Sequence, residues 1–544
     1  MANQMLLLVI LAVACAAPLS KAASSAACSG GGGRGCPTDA SGAIAASLSE
    51  PGAAYLLAAV LPLLEAKVGA LNIPDLPFNQ DGFEGSVNSI KCQNLVVASS
   101  GVSLAAPGAV DVALSGVSVA CSANWNFKLS SWPHFPDGSG SVDIAVSQTT
   151  ASVGVSFAVA ALHPQLVATA ATVNVGSIDL TFHGSVLDWI LNLFKSNIEN
   201  AVRSALQNDF GGAVSDFLST DVNKELAALN LDLALATPAP YNISEARFGF
   251  VQAPAVAPGG AFIAVAMQGD VVPIASPDAP LPLPPPALPP LSNATAGARY
   301  VAAYISPYTL LSAAYTYFSA GLMQWRVAPA DIPLGFNSTS AYALIAPGFA
   351  PAFPAGAAVA LAVAVSGVPG CAMAAAGGVS VDLPLRVAFQ AQLANGSFQE
   401  AFALDVGAAL SLALGVAPNP KVAGGLVISG KLGYVDASVS LNETSVGAVN
   451  APLLGLMTNL TIELVLVPVF NELLAVGIPL PAASGLTLTN ASIAIDDGFA
   501  VFSSDFLFAP SASGGGPFAR LAAKSAAMAA ARDEEEMKEG GKVF

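Results

Sequence analysis

The stretch VVPIASPDAPLPLPPPALPPL, Val271 to Leu291, divides the chain. Nine prolines fall between Pro273 and Pro290, both included. Each fixes its own φ, lacks an N–H and biases the residue before it toward extended backbone. Neither a helix nor an interior strand is expected there, and the segment reads as a stiff polyproline-II spacer rising about 3 Å per residue. On both sides of it the same order of elements recurs: helix, alternating strands, helix, closing strand. GGAFIAVAMQGD (259–270) and DGFAVFSSD (497–505) occupy equivalent places in the two halves, a faint internal repeat.

In the first half, Tyr55 to Ala70 reads as a helix with Leu56, Leu57, Val60, Leu61 and Leu64 on a broad apolar face. Strands follow. From Val112 to Trp125 the apolar parity slips by one residue at Gly116, the signature of a β-bulge. Val142, Ile144 and Val146, then Val153, Val155, Phe157 and Val159, keep a period of two. Gly184 to Gln207 is the strongest helix, with Ser185 and Asp188 as a capping-box variant and Val186, Trp189, Ile190 and Leu193 in its apolar stripe. Gly211-Gly212 should break it before Val214 to Leu229 resumes, and Ala261 to Met267 closes the half as a strand.

The second half opens with an alternating strand, Tyr300 to Ile305. Ser306 as N-cap and Pro307 at the first helical position start a helix that stops at Gly321 and carries Leu311, Ala314 and Phe318 on one face. Ala355 to Val365 reads as a strand, and Val435, Ala437, Val439 and Leu441 alternate cleanly. Thr458 to Val476 is expected to be a helix interrupted at Pro468, before a closing strand at Phe499 to Phe506.

A chain of 544 residues is too long for one core. The boundaries read as a signal peptide at 1–22, a Gly-rich N-terminal segment at 23–48, domains at 49–270 and 296–508 around a linker at 271–295, and a tail with an Ala-rich helix at 509–544. The signal peptide implies a secreted, extracellular protein. Hydrophobic residues make up 54% and charged residues 10%, with mean hydropathy +0.64. The apolar residues alternate instead of running on, which fits membrane spans poorly. Net charge is −17, so no electrostatic footprint for nucleic acid exists.

Cys28 and Cys36 flank a glycine run that satisfies G-x-G-x-x-G spacing without the strand and helix a dinucleotide would need. Cys92 and Cys121 lie about equally far from the turn pair Pro107-Gly108, which sets them opposite each other in an antiparallel pair and predicts a disulfide. Asn242, Asn293, Asn337, Asn395, Asn442, Asn459 and Asn490 head glycosylation sequons. His134, His163 and His183 are scattered without metal-ligand spacing, and no G-x-S-x-G elbow or phosphate-binding loop occurs, so neither metal, cofactor nor catalytic site is expected.

Four blocks carry a family resemblance: WNFKLSSWPHFPDGSGSVDIAV (125–146), GSIDLTFHGSVLDWILNLFKSNIENAVRSAL (176–206), the proline-rich centre running into YVAAYISPYTLLSAAYTYFSAG (300–321), and PVFNELLAVGIPLP (468–481). In the last, Pro468, Asn471, Leu474, Gly477, Pro479 and Pro481 match a P-x-x-N-x-x-L-x-x-G-x-P-L-P pattern. From about Tyr55 to Asp505 the chain resembles the family of bactericidal/permeability-increasing protein, lipopolysaccharide-binding protein and cholesteryl ester transfer protein. The resemblance implies an α+β fold: an elongated boomerang of two similar domains, each a twisted antiparallel barrel packed on long amphipathic helices, joined by a central sheet. It also implies an apolar tunnel in each half for phospholipid acyl chains. Leu57, Leu61, Val186, Trp189, Ile190, Leu193, Leu311, Ala314 and Phe318 are the candidate lining, while Phe127, Trp132 and Phe135 are candidates for membrane contact. The implied function is lipid binding and transfer, with recognition of bacterial lipopolysaccharide or envelope lipid as the alternative. Two departures stand out. The family's antibacterial members tie a strand to the long helix by a disulfide, yet Leu166 to Val175 holds no cysteine, and the tip segment Asn124 to His134 offers only Lys128 and His134 as bases.

Overall fold

The computed structural model describes residues 42–508, apart from 69–74, 81, 106–107, 132–136, 185–187, 236, 238, 278–281, 283, 285–286, 333–334, 343–344, 420–424 and 481–485. The expected signal peptide, the Cys28–Cys36 segment, the Ser185 cap and the tail helix lie outside the described residues.

The first half begins with β1 (Ile44–Ser49), α1 (Glu50–Val68), β2 (Leu76–Gln80), β3 (Phe83–Val96), β4 (Ser99–Ala105) and β5 (Ala109–Leu129). β6 (Asp137–Ala160), β7 (His163–Asn174) and β8 (Ser177–His183) lead into α2 (Asp188–Asp216), which runs through a π-helical turn (Phe217–Val222) into α3 (Asn223–Ala227). Short strands close the half: β9 (Asp232–Ala234), β10 (Ser244–Arg247), β11 (Ala255–Val256), β12 (Phe262–Met267) and β13 (Asp270–Pro273).

The second half runs α4 (Asn293–Gly297), β14 (Val301–Ile305), α5 (Pro307–Ser319), β15 (Gln324–Val327), α6 (Phe349–Ala352) and β16 (Val359–Val365). Then come β17 (Gly370–Ala374), β18 (Gly378–Gln392), β19 (Phe398–Pro418) and β20 (Leu426–Thr444). α7 (Ala451–Thr461), a second π-helical turn (Ile462–Leu466) and α8 (Val467–Val476) form one continuous helix before β21 (Ile478–Pro479), β22 (Leu486–Asp496) and β23 (Phe499–Phe508).

Each half is an antiparallel sheet. The first has the order β2-β3-β5-β6-β7, with β4 on β5 and β8 on β6; the second has β15-β16-β18-β19-β20-β21, with β17 on β18. A central sheet, β11-β12-β1-β14-β23-β22, takes strands from both. Its middle pair is self-complementary: β1 and β14 run antiparallel, Ser49 N–H donates to Tyr300 O, and Ser306 N–H donates to Ala43 O, both at 2.9 Å. The two segments of the faint repeat are β12 and β23, the outer neighbours of that pair. The fold is therefore an internal duplication folded about β1 and β14.

The caps follow the same symmetry. Ser49 Oγ accepts from Gly52 N–H at 3.2 Å to start α1, and Ser306 Oγ accepts from Tyr308 N–H at 3.0 Å to start α5. Gly321, at φ +69°, lies just past the end of α5.

In β5 the expected bulge sits at Gly116, where φ is +63°. The ladder to β6 passes from Leu114↔Ala151 to Val117↔Thr149, and the buried set changes from Val110 and Leu114 to Cys121, Ala123, Trp125 and Phe127. Cys92 faces Cys121 in the β3–β5 register, and the two form a disulfide with Cα atoms 3.9 Å apart.

Four expectations change. Gly211 and Gly212 do not break the helix: packing of Val214, Leu218, Val222 and Leu226 into the first core outweighs a glycine cost of about 1 kcal/mol each. Pro468 does not interrupt its helix either. The π turn ends with Val467 N–H on Ile462 O, five residues back, which opens the backbone where the proline ring enters. The spacer starts later than the prolines suggest, since Val271 to Pro273 pair with β10, and Pro273 ends the strand where no N–H is needed. Val435 is 61% exposed because the β19–β20 register slips from Ala409↔Asp436 to Leu410↔Tyr434, leaving it as the extra residue.

Pro452–Val476 is long and apolar enough to cross a membrane by length and composition. Leu454, Met457, Ile462, Leu466 and Val467 on this helix are buried in the second core, while Leu456 and Leu464 are exposed.

Candidate functional site

Where the central sheet meets the second half lies a narrow apolar cleft that opens to solvent. Ile44 of β1, Ile305 of β14, Ile493 of β22 and Ala500 of β23 supply one wall. Met373 of β17, Leu414 of β19, Ile428 of β20, Ile478 of β21, and Leu480 supply the other, with Phe248, Thr309 and Leu310 completing it. Eleven of these twelve side chains are apolar. Strand isoleucines and leucines line it because alternate residues of the central and second-half strands point to one face. Such a surface holds hydrocarbon and offers nothing to a charged group.

The twelfth side chain is different. Thr309 is 6% exposed and its Oγ1 has no hydrogen-bond partner among the described residues. It sits in the first turn of α5, whose inward face carries Tyr308, Thr309, Ser312 and Thr316. Two of those hydroxyls are accounted for by β13: Ser312 Oγ accepts from Val271 N–H at 2.9 Å, and Thr316 Oγ1 donates to Val271 O at 3.0 Å. Burial, with Asp270 nearby, pushes the Tyr308 hydroxyl up to about 12, so it stays protonated.

On α5 the cleft is lined by residues other than those expected to line a tunnel. Leu311, Ala314 and Phe318 are each half-buried and none lines the cleft; Thr309 and Leu310 do. The reason is that β13's open backbone groups demand hydroxyl partners, which turns the helix's polar face inward. In the first half, Leu57 and Leu61 are half-buried on α1. Trp189, Ile190 and Leu193 belong to α2, with side chains outside the described part, and Val186 lies outside the described residues altogether. Trp132 and Phe135 also lie outside them.

Phe127 is not at the surface. It is 3% exposed, stacks on Trp125 at 5.9 Å between ring centroids and meets Phe83 edge-on at 5.9 Å. It shares the post-bulge parity of Cys121 and Trp125, a signal present in the sequence. Its outward neighbour Lys128 pairs with Glu84 at 3.0 Å.

Six of the seven sequon asparagines are exposed: Asn242, Asn293, Asn337, Asn395, Asn442 and Asn490. Asn459 is not. It lies inside α7 with its Oδ1 buried, and its sequon partner Thr461 is 6% exposed and donates to Met457 O. Periodic apolar packing of that helix leaves no open face for the sequon.

Among the described residues no group of three His, Cys, Asp or Glu side chains could hold a metal. His163 places its two ring nitrogens 2.8 and 3.0 Å from the carbonyl oxygens of Ala161 and Leu229, and His183 Nε2 lies 2.8 Å from Asp143. Burial, then Asp382, raises the Cys371 thiol to about 11, which removes its thiolate at neutral pH.

Comparison with known sequences matches residues 56–220 to the N-terminal domain of the LBP / BPI / CETP family and residues 242–508 to its C-terminal domain. The chain belongs to this family. Its relatives include a bactericidal permeability-increasing protein of Sebastes schlegelii, 24% identical over 457 residues that cover 82% of this chain and 91% of the relative. Lipopolysaccharide-binding protein of Homo sapiens is 24% identical over 445 residues, covering 79% and 84% of the two chains. Among solved structures, that of a lipopolysaccharide binding protein superposes with a TM-score of 0.53 at 21% identity, over 86% of this chain and 99% of the other. For this LBP / BPI / CETP chain, the expected two-domain fold is thus established. Two cleft residues missed in the sequence were in reach: Ile478 and Leu480 belong to the G-x-P-L-P end of the pattern quoted above.

Proposed function

We propose that this protein binds and carries amphipathic lipid, holding phospholipid acyl chains in the second-half cleft and in an equivalent site between α1, α2 and the first-half sheet. The observation that carries the reading is the cleft itself, apolar at eleven of twelve positions and bounded by both the central and the second-half sheets. Burying one chain of about fifteen methylenes gives a gross gain near 12 kcal/mol at roughly 0.8 kcal/mol each. Most of that is already gained by lipid in a bilayer, so net affinity is modest and exchange is possible. The reading is of a binding protein, not an enzyme, secreted and glycosylated at its exposed sequons. Leu57, Leu61, Trp189, Ile190 and Leu193 remain the first-half lining in this proposal, with Trp132 and Phe135 at the membrane.

The likeness to a bactericidal permeability-increasing protein and to a lipopolysaccharide-binding protein favours a second reading, recognition of bacterial lipopolysaccharide. Against it, Lys128, near the end of β5, is neutralised by Glu84 and flanked across the ladder by Asp137. Native mass spectrometry before and after organic extraction tests the primary reading. The expected result is phospholipid-sized adducts, up to two per chain. Recovery of bare protein that neither binds nor moves labelled phospholipid between vesicles overturns it.

A further inference from the structure

The helix formed by α7, its π turn and α8 shows solvent an apolar face that the fold does not require. Leu454, Met457, Ile462 and Leu466 anchor its inner side in the second core. On the outer side Leu456 and Leu464 are 58% and 56% exposed, Pro452, Pro468 and Val469 are also exposed, and Leu460 is half-buried. Pro452, Leu456, Leu460, Leu464 and Pro468 form a row at every fourth position. In an α-helix such a row drifts about 40° per step. The π turn, whose bonds reach five residues back, underwinds the helix and brings Leu464 and Pro468 back toward the line of Leu456. The duplication supplies a control. Asn223 and Asn471 make the same paired bonds to Leu166 and Leu432, which aligns the two helices. Counted back from those asparagines, the first-half residues matching the row are Ser204, Asn208, Gly212, Asp216 and Thr220, all exposed and none with an apolar side chain.

We infer that this face docks on the surface of an electrically neutral lipid layer, with the helix lying in its plane. The inference extends the lipid-carrier reading above, because the helix runs through Gly477 directly into Ile478 and Leu480 of the cleft wall. Three observations choose this occupant. Between Pro452 and Val476 the helix carries Glu463 and Glu472 and no cation, so it has nothing to attract anionic headgroups. A second copy fits poorly by size. The 25 residues span about 37 Å, and a face about 10 Å wide offers roughly 370 Å², under half of the ~800 Å² per partner in a standard interface. Such a pair would also bring two Glu463 and two Glu472 carboxylates together. Crossing the layer is ruled out by the inner side, whose core contacts would be lost if the helix left the sheet. A lipid layer needs neither matched shape nor counter-charge, only aliphatic side chains that reach its hydrocarbon edge.

The test is flotation of the full chain with phosphatidylcholine vesicles, set beside lipid uptake counted by native mass spectrometry. Leu456→Gln combined with Leu464→Gln keeps helix propensity and is expected to weaken vesicle binding by about tenfold. The number of phosphatidylcholine molecules taken up from detergent solution stays the same. Val167→Gln, at an exposed apolar position of β7, changes neither. Replacing part of the phosphatidylcholine by phosphatidylserine does not strengthen binding. Melting curves check folding, and either single glutamine variant, with an expected loss of about threefold, decides should the pair not fold. Vesicle binding that survives the double substitution, falls equally in Val167→Gln, rises with phosphatidylserine or is absent from wild type overturns the inference and leaves lipid carriage standing. Self-association of wild type in solution that the double substitution abolishes assigns the face to a second copy and overturns it too. Wild type that docks on vesicles yet never carries lipid overturns the carrier reading and leaves docking standing.

Discussion

Asn471 and Asn223 perform one task in the two halves. Asn471 Oδ1 accepts from Leu432 N–H at 2.6 Å and its Nδ2 donates to Leu432 O at 3.0 Å. Asn223 makes the same two bonds to Leu166, both at 2.8 Å. A side-chain amide is the group that can satisfy a backbone donor and acceptor of one residue at once. Each therefore clamps the segment downstream of a π turn to a strand of its own sheet. Asn471→Ala is expected to lower stability by about 1–3 kcal/mol, read as an earlier urea midpoint for the second half, because both Leu432 groups lose their partner. The exposed Asn442→Ala should shift it by no more than about 0.5 kcal/mol. Of the pair, only Asn471 was visible in the sequence, through its place in the spaced proline-glycine pattern; Asn223 stands in no such frame. Phe127 shows the converse, since parity alone marks it as core once the slip at Gly116 is read. Thr309 as a cleft residue was not legible at all. Its place depends on neighbours far along the chain, and no local pattern records that.

Strands and caps were legible at the scale of elements because their signals are local. Alternation gave β14, a short apolar run gave β16, the repeat gave β23, and Ser306-Pro307 gave the start of α5. Helix interruptions were misread for the same reason. Gly211-Gly212 and Pro468 are local breakers, but α2 and the α7–α8 helix are held by long-range packing onto the sheets, which the local signal does not contain. This gives a sharp expectation for Gly212. It is exposed, helical, and a Cβ there meets nothing within 4 Å. Gly212→Ala should stabilise the first half by about 0.5–1 kcal/mol through the unfolded chain's lost freedom and better helix propensity, detectable as a later denaturant midpoint. A loss of stability would mean the glycine pair serves as a hinge. The inward polar face of α5 was equally hidden, because β13, its hydroxyl-hungry partner, comes from the other half of the chain.

At the scale of the whole molecule, the proline spacer and the repeated order of elements made the duplication legible, although the axis through β1 and β14 is a matter of pairing partners some 250 residues apart. What the duplication leaves on the surface is acid. The net charge is −17, and the cations seen in ion pairs are spent locally: Lys128 on Glu84, Arg299 on Asp505, and Arg386 on Glu400 and Glu443. Coulomb attraction thus cannot draw the molecule onto an anionic bilayer, and any contact has to come from apolar side chains. Salt separates the two mechanisms, since screening shortens the reach of charge from about 10 Å at 0.1 M to about 3 Å at 1 M. Attraction driven by a basic patch weakens steeply over that range, whereas apolar contact under mutual repulsion of like charges holds or strengthens. Cosedimentation with vesicles containing phosphatidylserine should therefore be unchanged or slightly increased between 0.1 and 1 M salt. A marked loss of bound protein would show that a basic surface dominates after all, and would move the balance toward recognition of anionic envelope lipid.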